Sequence, residues 1–235
     1  MKVRKKLPYY LIGALAVFAL SLIGPLRAIG EKRESISVIR AVIRLSRETL
    51  WESTAQQAFD ASFSAWMYAL MPIVAAIPSV SYIYEEVTSR FYMGVELRKG
   101  RYSYVYSRFL YSAVSGIVTV SAGLAAYAVF VCRVFPLNPV GDAAVGYEAV
   151  SRAGLAGYIL LKILYIGLYG MAMSVLASFL VYLYSNLYVD LSILFIASYL
   201  LRRTAMEGKF IFPLAVMAVM AVLYGIMWKI RSERI

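Results

Sequence analysis

The chain has 235 residues, of which 62% are hydrophobic and 16% charged, and it carries a formal net charge of +11 with no histidine. A soluble domain carries about 25% charged residues, so an ordinary soluble fold is excluded and one integral membrane domain is expected over 1–235. The missing histidines exclude Ser-His dyads, H-E-x-x-H zinc sites and imidazole relays, and the single cysteine, Cys132, excludes an internal disulfide and a cysteine metal cluster.

A bilayer-crossing helix needs ~20 apolar residues, and the runs between charges supply them. The first, 7–26, follows MKVRKK. It imitates a signal peptide, but it outruns a typical h-region and Ile23-Gly24-Pro25-Leu26 offers no small-x-small cleavage site. It therefore reads as a retained first helix. In the loop 27–60, Ile36, Ile39 and Ile43 recur at i, i+3, i+7 against Arg40, Arg44 and Arg47. That spacing predicts an amphipathic helix lying on the outer membrane surface.

The second span, 62–84, contains Pro72 and Pro78, each of which removes a backbone donor. The third, 109–132, has Ser112, Gly116, Thr119 and Gly123 on one stripe, which lets helices approach closely. Turn residues follow at Phe135-Pro136-Leu137-Asn138-Pro139 and Gly141-Asp142. Two further spans, 157–182 and 187–201, break at Ser185-Asn186, with Lys162 able to snorkel and Asp190 expected at an interfacial turn. The last is 210–228. The expected fold is all-α: a polytopic membrane protein with six transmembrane helices, or five and a re-entrant piece, because only 191–201 of the fifth is strictly uncharged. The Lys2, Arg4, Lys5 and Lys6 cluster ahead of the first helix places both termini in the cytoplasm, in the cell membrane.

Between the second and third spans lies the one long charged stretch, Glu85 to Arg108. As a helix it aligns Tyr84, Val87, Phe91 and Val95 on an apolar stripe, opposite Glu86, Ser89 and Arg90. Glu86 and Arg90 are spaced for an ion pair, Arg98 and Lys99 suit the helix C-terminus, Gly100 suits a left-handed C′ position, and Ser103 suits a cap for the next helix. This pattern describes a short surface helix; a solvated connector is the alternative.

Several activities fall away. No G-x-x-x-x-G-K-[ST] loop exists to cradle ATP. Glu85, Glu86 and Arg90 match the E-E-x-x-x-R element of intramembrane prenyl-protein proteases, yet those enzymes also need histidines that this chain lacks. The basic residues cluster at span ends, where the anionic membrane surface accounts for them better than nucleic acid does.

In Glu85-Glu86, Ser89-Arg90-Phe91, Arg98, Arg101, Tyr104, Arg108-Phe109 and Ser115-Gly116, the chain resembles permease subunits of the type-2 class of ABC (ATP-binding cassette) exporters. The likeness is to the small six-helix bacterial type. The Phe-Pro-Leu-Asn-Pro run at 135–139 is also similar to many members, whereas Arg90 stands where the family commonly has Gly. The motif match covers about 80–140 and the hydropathy match nearly the whole chain.

The resemblance implies a division of labour. A separate ATPase subunit binds ATP and Mg, so this chain holds no cofactor and is not itself an enzyme. The insert is the coupling helix, with Glu85, Glu86, Arg90, Phe91, Tyr92, Val95, Arg98, Arg101 and Tyr104 as the ATPase-contacting residues. A second permease subunit, identical or homologous, completes a dimeric pathway among the membrane lipids. The implied cargo is an amphipathic or hydrophobic peptide, antibiotic or lipid-like molecule. The rival class is a non-transporting membrane scaffold or an immunity protein against antimicrobial peptides.

Overall fold

The structure, a computed structural model, describes residues 7–27, 35–48, 53–89, 94, 98, 100–138, 151–184, 186–207 and 210–232. Helix α1 (Leu7–Leu22) leads into a ribbon of β1 (Pro25–Arg27) and β2 (Ser35–Ser37), then α2 (Val38–Glu48) and α3 (Ala55–Ala61). The long helices follow: α4 (Ala65–Thr88), α5 (Arg101–Val134), α6 (Arg152–Tyr184), α7 (Leu187–Met206) and α8 (Ile211–Ser232). The fold is helical apart from the ribbon, whose antiparallel register sets Leu26 opposite Ile36.

Among the described residues, Ala65–Thr88, Ser103–Val134 and Arg152–Tyr184 are long and apolar enough to cross a membrane, while Leu7–Leu22 and Ile211–Ile226 are shorter apolar helices. Helix α7 belongs to neither group; Asp190, Arg202 and Arg203 interrupt its apolar run. Its 20 residues give a length of about 30 Å at 1.5 Å per residue.

Side-chain caps mark the starts of α3, α4 and α7, where they satisfy amide groups that have no partner within the helix. Ser64 accepts from Met67 N at the head of α4, and Thr54 with Gln57 forms a capping box on α3. Asn186 accepts from Tyr188 N and Val189 N, so the break expected at Ser185-Asn186 is the cap of α7.

The five apolar helices and α7 alternate in direction. Tyr68 packs on Tyr169 near one end and Ser79 bonds Ser174 further along, so α4 and α6 run parallel. Helix α5 runs against them, its start near the end of α6 through Tyr104 and Tyr182. Tyr165 donates to the Ala205 carbonyl, closing α6 and α7 as an antiparallel pair. Tyr224, late in α8, rests on Phe109 and Tyr182. The end of α4, the start of α5 and the ends of α6 and α8 therefore share one end of the bundle.

The small-residue stripe on α5 is a packing seam. A Cβ on Gly116 would lie 2.6 Å from the Gly170 carbonyl oxygen of α6, and one on Gly123 2.6 Å from the Ala14 carbonyl oxygen of α1. Hydroxyls fill the seam: Ser112 donates to Ser178 at 2.7 Å, Ser174 donates to the Ser112 carbonyl at 2.9 Å, and Ser79 meets Ser174 at 2.9 Å. Small residues let the backbones approach, and the buried hydroxyls find partners across the gap. Helix α4 runs unbroken through Pro72 and Pro78, both buried.

At the opposite end from Tyr182 and Tyr224, the ribbon, α2 and α3 form a cap with its own apolar core, including Leu26, Val38, Phe59, Tyr127 and Phe135. Tyr127 donates to the Ala58 carbonyl at 2.7 Å and Ala55 N to the Pro136 carbonyl at 2.9 Å, which ties the cap to α5 and the segment after it. One expectation is corrected here. Ile36 lies in β2, and α2 buries Val38 (0% exposed) and Ala41 (6%) against the cap, leaving Ile39 (47%) and Ile43 (54%) outward. The helix exists, but it rests on protein through the face next to the one the isoleucine spacing marked. Lys162 sits 3.9 Å from Asp60 and near the faces of Phe63 and Tyr158, so it is held by the cap as well as half exposed.

Candidate functional site

The base of the 85–108 insert is built from the last turns of α4 and the first turns of α5. Two hydroxyls close α4: Thr88 donates to the Tyr84 carbonyl at 2.7 Å and Ser89 to the Glu85 carbonyl at 2.6 Å. Gly100 begins α5 with φ +80° and ψ 146°, a backbone region that a Cβ strongly disfavours. Gly100 has a positive φ, but with ψ 146° it is not in the left-handed helical region expected of a C′ residue; it is the N-cap of α5, so Ser103 sits inside α5 and is not its cap.

Glu86 turns into the bundle. It is 4% exposed and accepts a hydrogen bond from Arg108 Nη2 at 2.5 Å. Its described partner is therefore Arg108 of α5, 22 residues on; the Arg90 expected to pair with it lies outside the described residues. The Arg108 guanidinium lies 4.9 Å from the Tyr82 ring centre and 5.1 Å from that of Tyr104, so cation–π attraction adds to the ion pair. Tyr104, 1% exposed, meets the Tyr182 hydroxyl at 3.4 Å. Tyr182 packs edge-on against Tyr224 at 6.2 Å, and Tyr224 against Phe109 at 5.6 Å. One buried charge pair thus joins α4 to α5, and the aromatic rings around it reach α6 and α8.

A buried ion pair is stabilising only when desolvation is offset by good geometry and further hydrogen bonds. Glu86 Oε2 and Arg108 Nε are buried with no hydrogen-bond partner among the described residues. The pair is therefore weak evidence for added stability, and its clear structural consequence is to bring these faces of α4 and α5 together.

The residues named from sequence separate into three groups. Glu85 and Arg98 are exposed. Glu86 and Tyr104 are buried between helices and offer no surface to a partner. Arg90, Phe91, Tyr92 and Val95 lie outside the described residues, as does the side chain of Arg101; within 90–99 only Gly94 and Arg98 are described, both helical. Sequence reading missed Arg108 as the partner of Glu86, although it marked both residues.

It also missed the burial of Asp190. This residue lies in the first turn of α7, 1% exposed, and neither carboxyl oxygen has a hydrogen-bond partner among the described residues. It is buried in the fold, in the turn that follows the Asn186 cap. The N-terminal end of the helix dipole favours a negative charge there. No group of three or more His, Cys, Asp or Glu among the described residues is placed to hold a metal ion. Compared with known protein families, with curated proteins and with solved structures, the chain matches none of them.

Proposed function

We propose that this chain is the membrane-spanning permease subunit of an ATP-binding cassette exporter. It crosses the cell membrane six times with both termini in the cytoplasm, pairs with a second permease subunit, and moves an amphipathic or hydrophobic cargo outward with ATP hydrolysed by a separate subunit. The observation that carries the reading is the Glu86–Arg108 pair at the root of the insert. Because it locks the end of α4 to the start of α5, a push on the intervening segment is delivered to both helices together. The tyrosine contacts pass the displacement on to α6 and α8. Six helices that alternate in direction, α7 among them, support an even number of crossings, and the motif likeness at 85–116 supports the family.

In this reading the insert and its exposed flanks, Glu85 and Arg98, meet the ATPase, while Glu86 and Tyr104 transmit its movement from inside. The chain has no phosphate-cradling loop, so the purified protein alone is expected neither to bind nor to hydrolyse ATP. Equilibrium binding of labelled ATP, followed by a phosphate-release assay, checks this. Saturable binding to the isolated chain would remove the division of labour.

A further inference from the structure

The wall between α5 and α6 is not tight along its whole length. These helices touch backbone to side chain at Gly116 and Gly170. Toward the cap end the same pair encloses a groove of about 880 Å³, within the usual size of a small-molecule site. On its floor Ser121, Ala125 and Ala128 of α5 face Ala156, Ile159 and Ile163 of α6. Small residues at these positions leave the space that larger side chains would fill.

Its polarity is graded. Arg133, in the last turn of α5, and Arg152, at the start of α6, stand at the rim, both exposed, and no acidic residue lines the groove. From Arg133 down to Ser121, 12 residues of helix, the groove runs about 18 Å at 1.5 Å per residue. One leaflet of the hydrocarbon core is about 15 Å deep, half of ~30 Å. A ligand that fits carries negative charge at one end and an apolar chain roughly one leaflet long.

We propose that this groove binds one anionic glycerophospholipid from the leaflet at the cap end. The phosphate sits between Arg133 and Arg152, and an acyl chain lies along the alanine-lined floor. The two guanidinium groups supply charge-assisted hydrogen bonds to phosphate oxygens. The exposed Val129 and Leu160 beside the groove continue its apolar wall into the surrounding lipid. A bilayer lipid is the one occupant whose head and tail already lie at these two depths. The proposal does not rest on an ATPase partner, so it and the transport reading stand or fall separately.

The sole cysteine is a built-in probe, because Cys132 lines the groove and is exposed. The full chain in non-ionic detergent is alkylated with the uncharged reagent N-ethylmaleimide while lipid is titrated in. Phosphatidylglycerol is expected to protect Cys132 at about tenfold lower concentration than phosphatidylcholine, which has the same phosphate but a choline cation that the two guanidinium groups repel. Inorganic phosphate should not protect. The Arg133→Gln/Arg152→Gln double variant should lose the difference between the two lipids. Equal protection by both lipids in the wild type, a requirement that needs no variant, would overturn the proposal. Protection by inorganic phosphate, or an unchanged lipid preference in the double variant, would overturn it too.

Discussion

Arg108→Ala is expected to destabilise the fold by about 3–5 kcal/mol, the range found when one partner of a buried ion pair is removed. The side chain of Glu86 is 2% exposed, so the truncation strands its carboxylate where water cannot replace the guanidinium. The Tyr82 and Tyr104 faces lose their cation in the same step. Replacing both charges, in Glu86→Leu/Arg108→Leu, should restore most of the loss, because no charge then remains to be desolvated. Thermal or denaturant unfolding of the purified protein in detergent separates the two cases. A double variant as unstable as the single one would mean that packing, and not the stranded charge, accounts for the effect. ATP-driven transport makes a different demand: the double variant should fold yet transmit poorly, since α4 and α5 are no longer pinned to each other.

Gly116→Val should have the next largest effect. A single Cβ at this position already lies 2.6 Å from both the Gly170 carbonyl oxygen and Ser174 Cβ, and valine adds two methyl groups to that contact. Overpacking of this kind typically destabilises by about 1–3 kcal/mol. Here it also threatens the Ser174–Ser112 and Ser79–Ser174 bonds. Gly157→Ala in α6 is the control, since its Cβ meets nothing within 4 Å. Relieving a mid-helix glycine should raise stability by up to ~1 kcal/mol. The two variants should therefore shift the unfolding midpoint in opposite directions.

Much of the fold was legible because charges and caps punctuate the chain locally. Lys6, Asp60, Glu85, Arg108 and Arg133 bracket apolar runs that became α1, α4 and α5, and Asn186 marked the head of α7 by its own side chain. The stripe through Gly116 and Gly123 was readable for the same reason, because packing at a seam demands small residues at helical spacing. What could not be read depended on distant partners. Glu86 had a plausible mate one turn away in Arg90, and nothing in the local spacing favours Arg108 over it. The face of α2 was misjudged because Ile36 belongs to β2, and because Val38 and Ala41 are buried by a cap that the sequence did not reveal. The turn position of Asp190 was readable from the helix break, but its burial depends on how α7 packs, which local spacing does not show.

If the 85–108 segment receives movement from an ATPase, stable recovery of the complex depends on the side chains of that segment. The chain carrying Phe91→Ala or Arg98→Glu is purified with a candidate P-loop ATPase subunit, and the dissociation constant is measured against wild type. Phe91 is the aromatic of the expected apolar stripe, and Arg98 is exposed at the end of the insert. Each substitution should weaken association by ~2 kcal/mol or more, about thirtyfold, as at an interface hot spot. The chain itself should accumulate to near-normal levels. Wild-type affinity and wild-type ATP-driven transport in both variants would contradict the account and leave the segment a solvated connector.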